Sequence, residues 1–369
     1  MARLAVVHNT LDLRSGADAV CLHVCEALQD AHEVTLVTLS HPPLAALNRL
    51  FDTAAEVPVR TPPKSRLLGR AFETAADHAG PLLAPRSVLL GRFFRRHADE
   101  FDAAVSTANE FSLPVPSVQY VHYPQFNGRP VGDEETPLLD PVWSRLAGLG
   151  DRRLPADATL VANSSWTADV VAERYDRRPT VVHPPVDPIR GGTDWDDREE
   201  GVVLAGRIAP DKRTLDAVRI VDSLRGRGHD VHLHIVGSAA PAYRSYVDRV
   251  AAAAAERDYV AVETDVSRSR LERLLTTHKY GLNAKPDEHF GMTVAEYVAA
   301  GMLPFAPDSG GQRDVVASDD RLYSSVSDAA AKIGDAIAEG VRPELPRDRF
   351  ASDRFHRQIR GLVAELSET

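Results

Sequence analysis

Cysteine is almost absent from this chain: Cys21 and Cys25 are the only two in 369 residues, four apart in an apolar stretch with helical spacing. Two thiols with no matching partners elsewhere do not make a metal site, so both are read as small buried hydrophobes. Long apolar runs are missing as well. No stretch approaches 18 consecutive apolar residues, which excludes a transmembrane helix on length. Met1–Asn9 lacks a charged segment ahead of a long apolar core, so no signal peptide is expected and the chain is placed in the cytoplasm. Lysine is scarce, with five of 43 basic residues (Lys64, Lys212, Lys279, Lys285, Lys332), whereas acids number 53 and the net charge is −10. That balance argues against a nucleic-acid partner held by phosphate contacts. It fits a GC-rich genome or adaptation to high salt.

The composition is that of a globular protein, 43% hydrophobic and 26% charged, and the length exceeds what one core usually fills, so two domains are expected. Leu4–His8, a loop over Asn9–Gly16, the amphipathic stretch Ala17–Leu28 and the apolar run Val34–Leu39 read as a βαβ start. Further strands are expected at 103–106, 117–121 and 159–162. After Val181 a Pro-, Gly- and Asp-rich loop runs to Gly201, and the alternation then restarts. It continues with strands at 202–205, 231–236, 259–263 and 280–283, and helices at 214–224, 243–257, 269–277 and 293–300. His232 and His234 alternate with the inward residues of their strand.

This order implies two doubly wound, Rossmann-like α/β domains facing across a cleft, with ligands beyond the carboxyl ends of the strands. The domains are expected at 1–187 and 188–346, followed by a helical segment, 347–369.

Two stretches carry chemistry. In Gly206-Arg207-Ile208-Ala209-Pro210-Asp211-Lys212 a strand ends at a glycine, and two cations five apart lead into a helix. The glycine lets the backbone approach a ligand, the helix start presents N–H groups, and the cations neutralise a diphosphate. It is not a Walker A loop, because the second glycine and the Gly-Lys-Ser/Thr ending are missing. In an empty site Arg207 and Lys212 are expected to stand unpaired and to repel one another. The second stretch is Glu288-His289-Phe290-Gly291-Met292-Thr293-Val294-Ala295-Glu296. Its two carboxylates suit sugar hydroxyls, and the N–H groups of Gly291 to Thr293 suit phosphates between two sugars.

The Glu-x7-Glu segment Glu288–Glu296, with Gly206, Arg207 and Lys212, resembles the retaining glycosyltransferases of family GT4. Glu288-His289-Phe290-Gly291, Glu296-Tyr297, Ser309-Gly310-Gly311 and Tyr120-Val121-His122-Tyr123-Pro124 are nearest in motif to the dolichol-pathway α-1,2-mannosyltransferases of lipid-linked oligosaccharide assembly. The resemblance implies the GT-B fold, a nucleotide diphosphate-sugar donor (GDP-mannose ahead of a UDP-sugar), a lipid-linked glycan acceptor and no metal or other cofactor. It implies that Glu288 contacts the donor hexose and Glu296 the ribose, with Gly206, Phe290, Gly291, Met292 and Thr293 lining the donor. Arg207, Lys212, Glu288 and His122 are the catalytic set, His122 near the reacting carbon; Gly16 and His122 lie on the acceptor side. A nucleotide-sugar epimerase on the same scaffold and a non-catalytic glycan-binding subunit are the alternatives; the Glu-x7-Glu spacing argues against the first, and intact Arg207, Lys212, Glu288 and Glu296 against the second.

Asn163-Ser164-Ser165 is read as a strand end and helix cap. Residues 60–97 hold eight basic residues (Arg60, Lys64, Arg66, Arg70, Arg86, Arg92, Arg95, Arg96) against two acids, Glu73 and Asp77. With apolar residues interleaved, including Phe93 and Phe94, the segment is expected to touch an anionic membrane.

Overall fold

A computed structural model describes residues 1–63, 65, 82–126, 140–149 and 154–366. The chain divides into two compact units, Met1–Pro185 with Ser352–Thr369, and Val186–Ala351.

The first unit carries a seven-stranded sheet: β1 (Arg3–His8), β2 (Glu33–Thr38), β3 (Val59–Arg60), β4 (Ala103–Ser106), β5 (Ser117–Val121), β6 (Ala158–Ala162) and β7 (Thr180–Val181). The order is β3-β2-β1-β4-β5-β6-β7, with every pairing parallel. A parallel sheet is buried on both faces, and β1, β4 and β5 are accordingly buried in nearly every position. Its helices are α1 (Gly16–Gln29), α2 (Leu44–Phe51), α3 (Leu83–Arg95), α4 (Asp140–Ala147) and α5 (Ser165–Tyr175). Ser164 caps α5, its hydroxyl accepting from the Thr167 N–H at 3.1 Å, because an Ncap oxygen satisfies a first-turn donor.

The second unit repeats the design with β8 (Glu199–Ala205), β9 (His232–Gly237), β10 (Val260–Thr264), β11 (His278–Leu282), β12 (Leu303–Pro307) and β13 (Leu322–Tyr323). The order is β10-β9-β8-β11-β12-β13, again parallel throughout. The helices are α6 (Thr214–Gly226), α7 (Arg244–Ala255), α8 (Arg268–Thr277), α9 (Met292–Ala299), α10 (Gln312–Val316) and α11 (Val326–Ala338). Val218, Val221 and Leu224 of α6 join Leu233, Ile235, Leu282 and Phe305 in one core. In each sheet the strand order reverses between the first and fourth strands, and ligands of such sheets lie beyond the carboxyl ends at that point.

The final helix, α12 (Ser352–Leu366), is not a separate segment. Phe355, Ile359 and Val363 enter the core of the first unit beside Val20, Val24 and Leu28 of α1, and Arg360 Nε donates to the Ala27 carbonyl at 2.8 Å.

For Phe93 and Phe94 the 60–97 expectation is overturned. Phe94 is fully buried with Leu90 and Phe101, and Phe93 packs on the same core and lies 4.8 Å from the His97 ring. The one-sided spacing of α3 thus faces inward, leaving Arg92, Arg95 and Arg96 exposed. Lys64, Arg66, Arg70, Glu73 and Asp77 lie outside the described residues. Among the described residues no helix is long and apolar enough to cross a membrane.

Candidate active site

The loop after β8 is shaped by two glycines. Gly206 has φ +135°, a region only glycine enters without strain. A Cβ on Gly237, at the end of β9, would stand 1.6 Å from the Gly206 oxygen. The two loops therefore cross in backbone contact. Beyond them Arg207 donates to Asp211 at 3.2 and 3.3 Å and its guanidinium lies 5.3 Å from the Tyr243 ring centre. Lys212 closes a short turn and hydrogen-bonds to Glu288 Oε1. Each cation already has a carboxylate, so the expected repulsion between unpaired cations is corrected.

The loop after β11 is held from below by Gln312, which is fully buried. Its amide donates to the carbonyls of Lys285, Pro307 and Ser309 at 3.1–3.2 Å and accepts from Asn283 Nδ2 at 2.5 Å. The Ser309-Gly310-Gly311 turn clamps the same loop: Gly311 N–H donates to the Glu288 carbonyl at 2.7 Å, and the Ser309 hydroxyl accepts from the Asp287 N–H at 2.9 Å. Gly310 has φ +70°, and a Cβ there would lie 2.5 Å from the Glu288 oxygen.

Gly291, φ +99°, opens α9, whose first-turn N–H groups, including those of Met292 and Thr293, have no acceptor within the helix. Phe290 is buried edge-on to Phe350 at 5.5 Å. Burial, opposed by Glu288 and aided by Lys285 and Lys212, pushes His289 down to about 4, so its ring is neutral at pH 7.

Glu296 accepts from Arg268 Nη1 at 2.6 Å, and Arg268 Nε donates to Glu272 at 2.9 Å. Against the cost of burial, these two carboxylates raise the Arg268 pKa. Next to Glu296, the buried Tyr297 hydroxyl donates to the Leu282 carbonyl at 3.1 Å and accepts from the Ala205 N–H at 2.8 Å. It ties the ends of β8 and β11 to α9. Arg268, Tyr297, Lys285 (3.4 Å from Asp211 Oδ2) and Gln312 were not foreseen as site residues. Tyr297 lies within a quoted motif and Gln312 adjoins one, whereas Arg268 arrives from α8 with no local signal.

Gly206, Arg207, Lys212, Glu288, Phe290, Gly291, Met292, Thr293 and Glu296 thus all stand on segments following β8 and β11, the adjacent strands where the order reverses. The Lys212–Glu288 bond joins the two loops. His122 and Gly16 belong to the first unit. His122 follows β5; its N–H donates to Asn109 Oδ1 at 2.8 Å, its Nε2 lies 3.2 Å from the Thr107 carbonyl, and its ring is 5.1 Å from that of Tyr120. Gly16 begins α1, where the Asp18 carboxylate accepts from the Ser15 N–H at 3.2 Å. Asp18 also meets His8 Nε2 at 3.1 Å in a nearly dry setting. Below the loop that follows β5, buried Glu110 accepts from the N–H groups of Gln125 and Phe126 at 3.0 and 2.8 Å and from the Tyr175 hydroxyl at 2.8 Å. Burial, offset in part by these donors, pushes its carboxyl up to about 7.

Two Rossmann-like units, the second with cations, carboxylates and a helix start gathered at its switch point, define the GT-B class of glycosyltransferases. Residues 186–352 match the family of glycosyl transferases group 1, and residues 14–190 match Glycosyltransferase Family 4. The chain belongs to this GT4 group of glycosyltransferases. It is 26% identical over 238 residues to GDP-Man:Man(3)GlcNAc(2)-PP-Dol alpha-1,2-mannosyltransferase of Dictyostelium discoideum, an alignment covering 56% of this chain and 47% of that protein. It is 27% identical over 165 residues to the Eremothecium gossypii protein of the same name, covering 41% of this chain and 28% of that one. The chain therefore spans less than half the length of these relatives. Among solved structures, Anabaena HepE in complex with UDP and glucose superposes with a TM-score of 0.68 at 15% identity, covering 99% of this chain and 100% of that one. A glycosyltransferase from Rickettsia africae gives 0.68 at 14% identity, covering 100% and 98%. At such identity the likeness is one of fold.

Proposed function

We propose that the chain transfers a hexose, mannose from GDP-mannose ahead of a hexose from a UDP-sugar, to a lipid-linked glycan with retention of anomeric configuration. The observation that carries this reading is the coupling of Glu288 to Lys212 and of Glu296 to Arg268 beside the start of α9. Glu288 is assigned to the donor hexose and Glu296 to the ribose. The diphosphate between them is met by Arg207, Lys212 and the N–H groups of Met292 and Thr293, so no metal or other cofactor is assigned to the reaction. In the transfer the acceptor oxygen bonds to the anomeric carbon as the bond from that carbon to the phosphate oxygen breaks. The acceptor proton passes to the leaving diphosphate oxygen. The enzyme's share is positioning and stabilisation of the charge developing on that diphosphate. His122 and Gly16 are assigned to the acceptor side. The name carried by the two mannosyltransferase relatives supports the donor and acceptor.

A groove of about 620 Å³ on the first unit is lined by Arg92, Arg95, Arg145, Val142 and Leu146. Three guanidiniums around two exposed aliphatic side chains suit an anionic bilayer that presents the acceptor, which moves the membrane contact from the buried Phe94 to this groove.

The donor assignment is tested by calorimetry with GDP and GDP-mannose. Glu288→Gln is expected to weaken GDP-mannose roughly tenfold, about 1.4 kcal/mol, and to leave GDP unchanged, whereas Glu296→Gln weakens both. Parent-like binding of both ligands by both variants would remove the assignment.

A further inference from the structure

His232 and His234 stand at alternate positions of β9, on one face of the sheet, and His278 is the first residue of β11. Between these strands lies β8, whose Gly201 is in register with His232. A Cβ on Gly201 would fall 2.4 Å from His232 Nε2 and 2.5 Å from His278 Cδ2. Glycine here is what lets three imidazoles converge over the middle strand. Each offers a ring nitrogen, and the three nitrogens lie within 4.8 Å of one another.

Polar atoms buried this way ordinarily have partners, but His232 Nε2, His234 Nδ1 and His278 Nε2 are buried and make no hydrogen bond. Glu199, the first residue of β8, places Oε2 3.3 Å from His232 Nε2 and 3.7 Å from His278 Nε2. His278 is oriented from behind: Nδ1 lies 2.9 Å from the Leu274 carbonyl, so its N–H donates there and Nε2 is left with its lone pair forward. A ring N–H given to a backbone carbonyl is the usual support behind a metal-ligating histidine. The other nearby carboxylate, Glu263, lies 3.5 Å from His234 Nδ1 but is held by Arg270 at 2.7 and 2.9 Å.

We propose that His232, His234 and His278, with Glu199 as fourth ligand, form a site for a divalent transition metal of the zinc class. Three imidazoles and one carboxylate are the donor set such ions take in tetrahedral geometry. The site lies at the amino ends of β8, β9 and β11. Gly206, five residues along β8 from Gly201, is about 17 Å away at the rise of a strand. The ion is therefore structural, pinning three adjacent strands, and is separate from the transfer reaction.

The test uses the full chain stripped with chelator and titrated with Co²⁺ chloride and Zn²⁺ chloride, Mg²⁺ serving as control. The expected result is one Co²⁺ per chain with the intense visible absorption of a tetrahedral centre, displacement by Zn²⁺, and a melting temperature raised by Zn²⁺ but not by Mg²⁺. His232→Gln, at the partly exposed rim, and His278→Gln should each lose at least the roughly 10–100-fold in affinity that even an outer-shell partner is worth. Melting of each metal-free variant against the metal-free parent separates loss of ligand from loss of fold. Absence of saturable binding, or equal binding by parent and folded variants, which would place the metal elsewhere, overturns the proposal.

Discussion

Tyr297→Phe removes one oxygen from the interior of the second unit and leaves the packing otherwise intact. The Tyr297 ring lies beneath Gly281, where a Cβ would come within 2.3 Å of its Cγ, and phenylalanine keeps that fit. Burial raises the hydroxyl pKa well beyond the working range, so it is a donor at every ordinary pH. The variant loses the bonds to the Leu282 carbonyl and from the Ala205 N–H. Two such bonds are worth about 1 kcal/mol each, and an amide left without a partner adds a penalty of about 1 kcal/mol or more, giving roughly 3 kcal/mol. For a unit of this size that is a fall in melting temperature of roughly 6–12 °C. Urea unfolding of the full chain should show a lower midpoint at unchanged m-value. Because Ala205 immediately precedes Gly206, donor affinity should fall too, measured where the variant is fully folded. A midpoint and melting temperature within about 1 kcal/mol of the parent would refute the reasoning, since it would mean that neither bond contributes.

Gly310→Ala forces a Cβ onto the Glu288 backbone at a φ that L-residues avoid; donor binding by calorimetry should weaken by far more than the urea midpoint moves, and unchanged donor affinity would show that the clamp does not position Glu288. Glu110 has its folded pKa raised to about 7 from an ordinary 4.5, so the folded state holds the proton more tightly and stability from this group is greatest below about 4.5 and lost as pH rises through about 7. Unfolding of the parent minus that of Glu110→Gln, followed from pH 4.5 to 8, should decline over that window; parallel curves would show that the carboxyl titrates normally.

The alternation of the second unit was legible because parallel strands buried on both faces are nearly continuous apolar runs, as in Val202–Leu204, and because Val231–Val236, interrupted by His232 and His234, keeps the period of two that a strand imposes. β12 was passed over. Its sequence, Leu-Pro-Phe-Ala-Pro, carries two prolines inside a run that pairs on both sides with β11 and β13, and proline argues against an interior strand. Strand order was inferred only as a class, since an apolar run does not name its neighbours. Glu288 and Glu296 were readable because one loop and one helix hold both at fixed spacing. Arg268 was not, because its contact with Glu296 joins α8 to α9 across 28 residues, and nothing in a local pattern encodes that meeting. The segment 352–366 read as helix, but its docking on α1 depends on the shape of a surface more than 320 residues earlier in the chain; His356 meeting His23 at 3.2 Å is one such contact.

That docking sets an order of assembly on the ribosome. The second unit is one continuous stretch and has all its own parts as soon as Ala351 has emerged. The first is begun before it and completed after it: Val20, Val24 and Leu28 remain without the cover of Phe355, Ile359 and Val363 until residues 352–366 have been made. During translation the unit made first therefore waits, greasy side outward, for a helix that follows its neighbour.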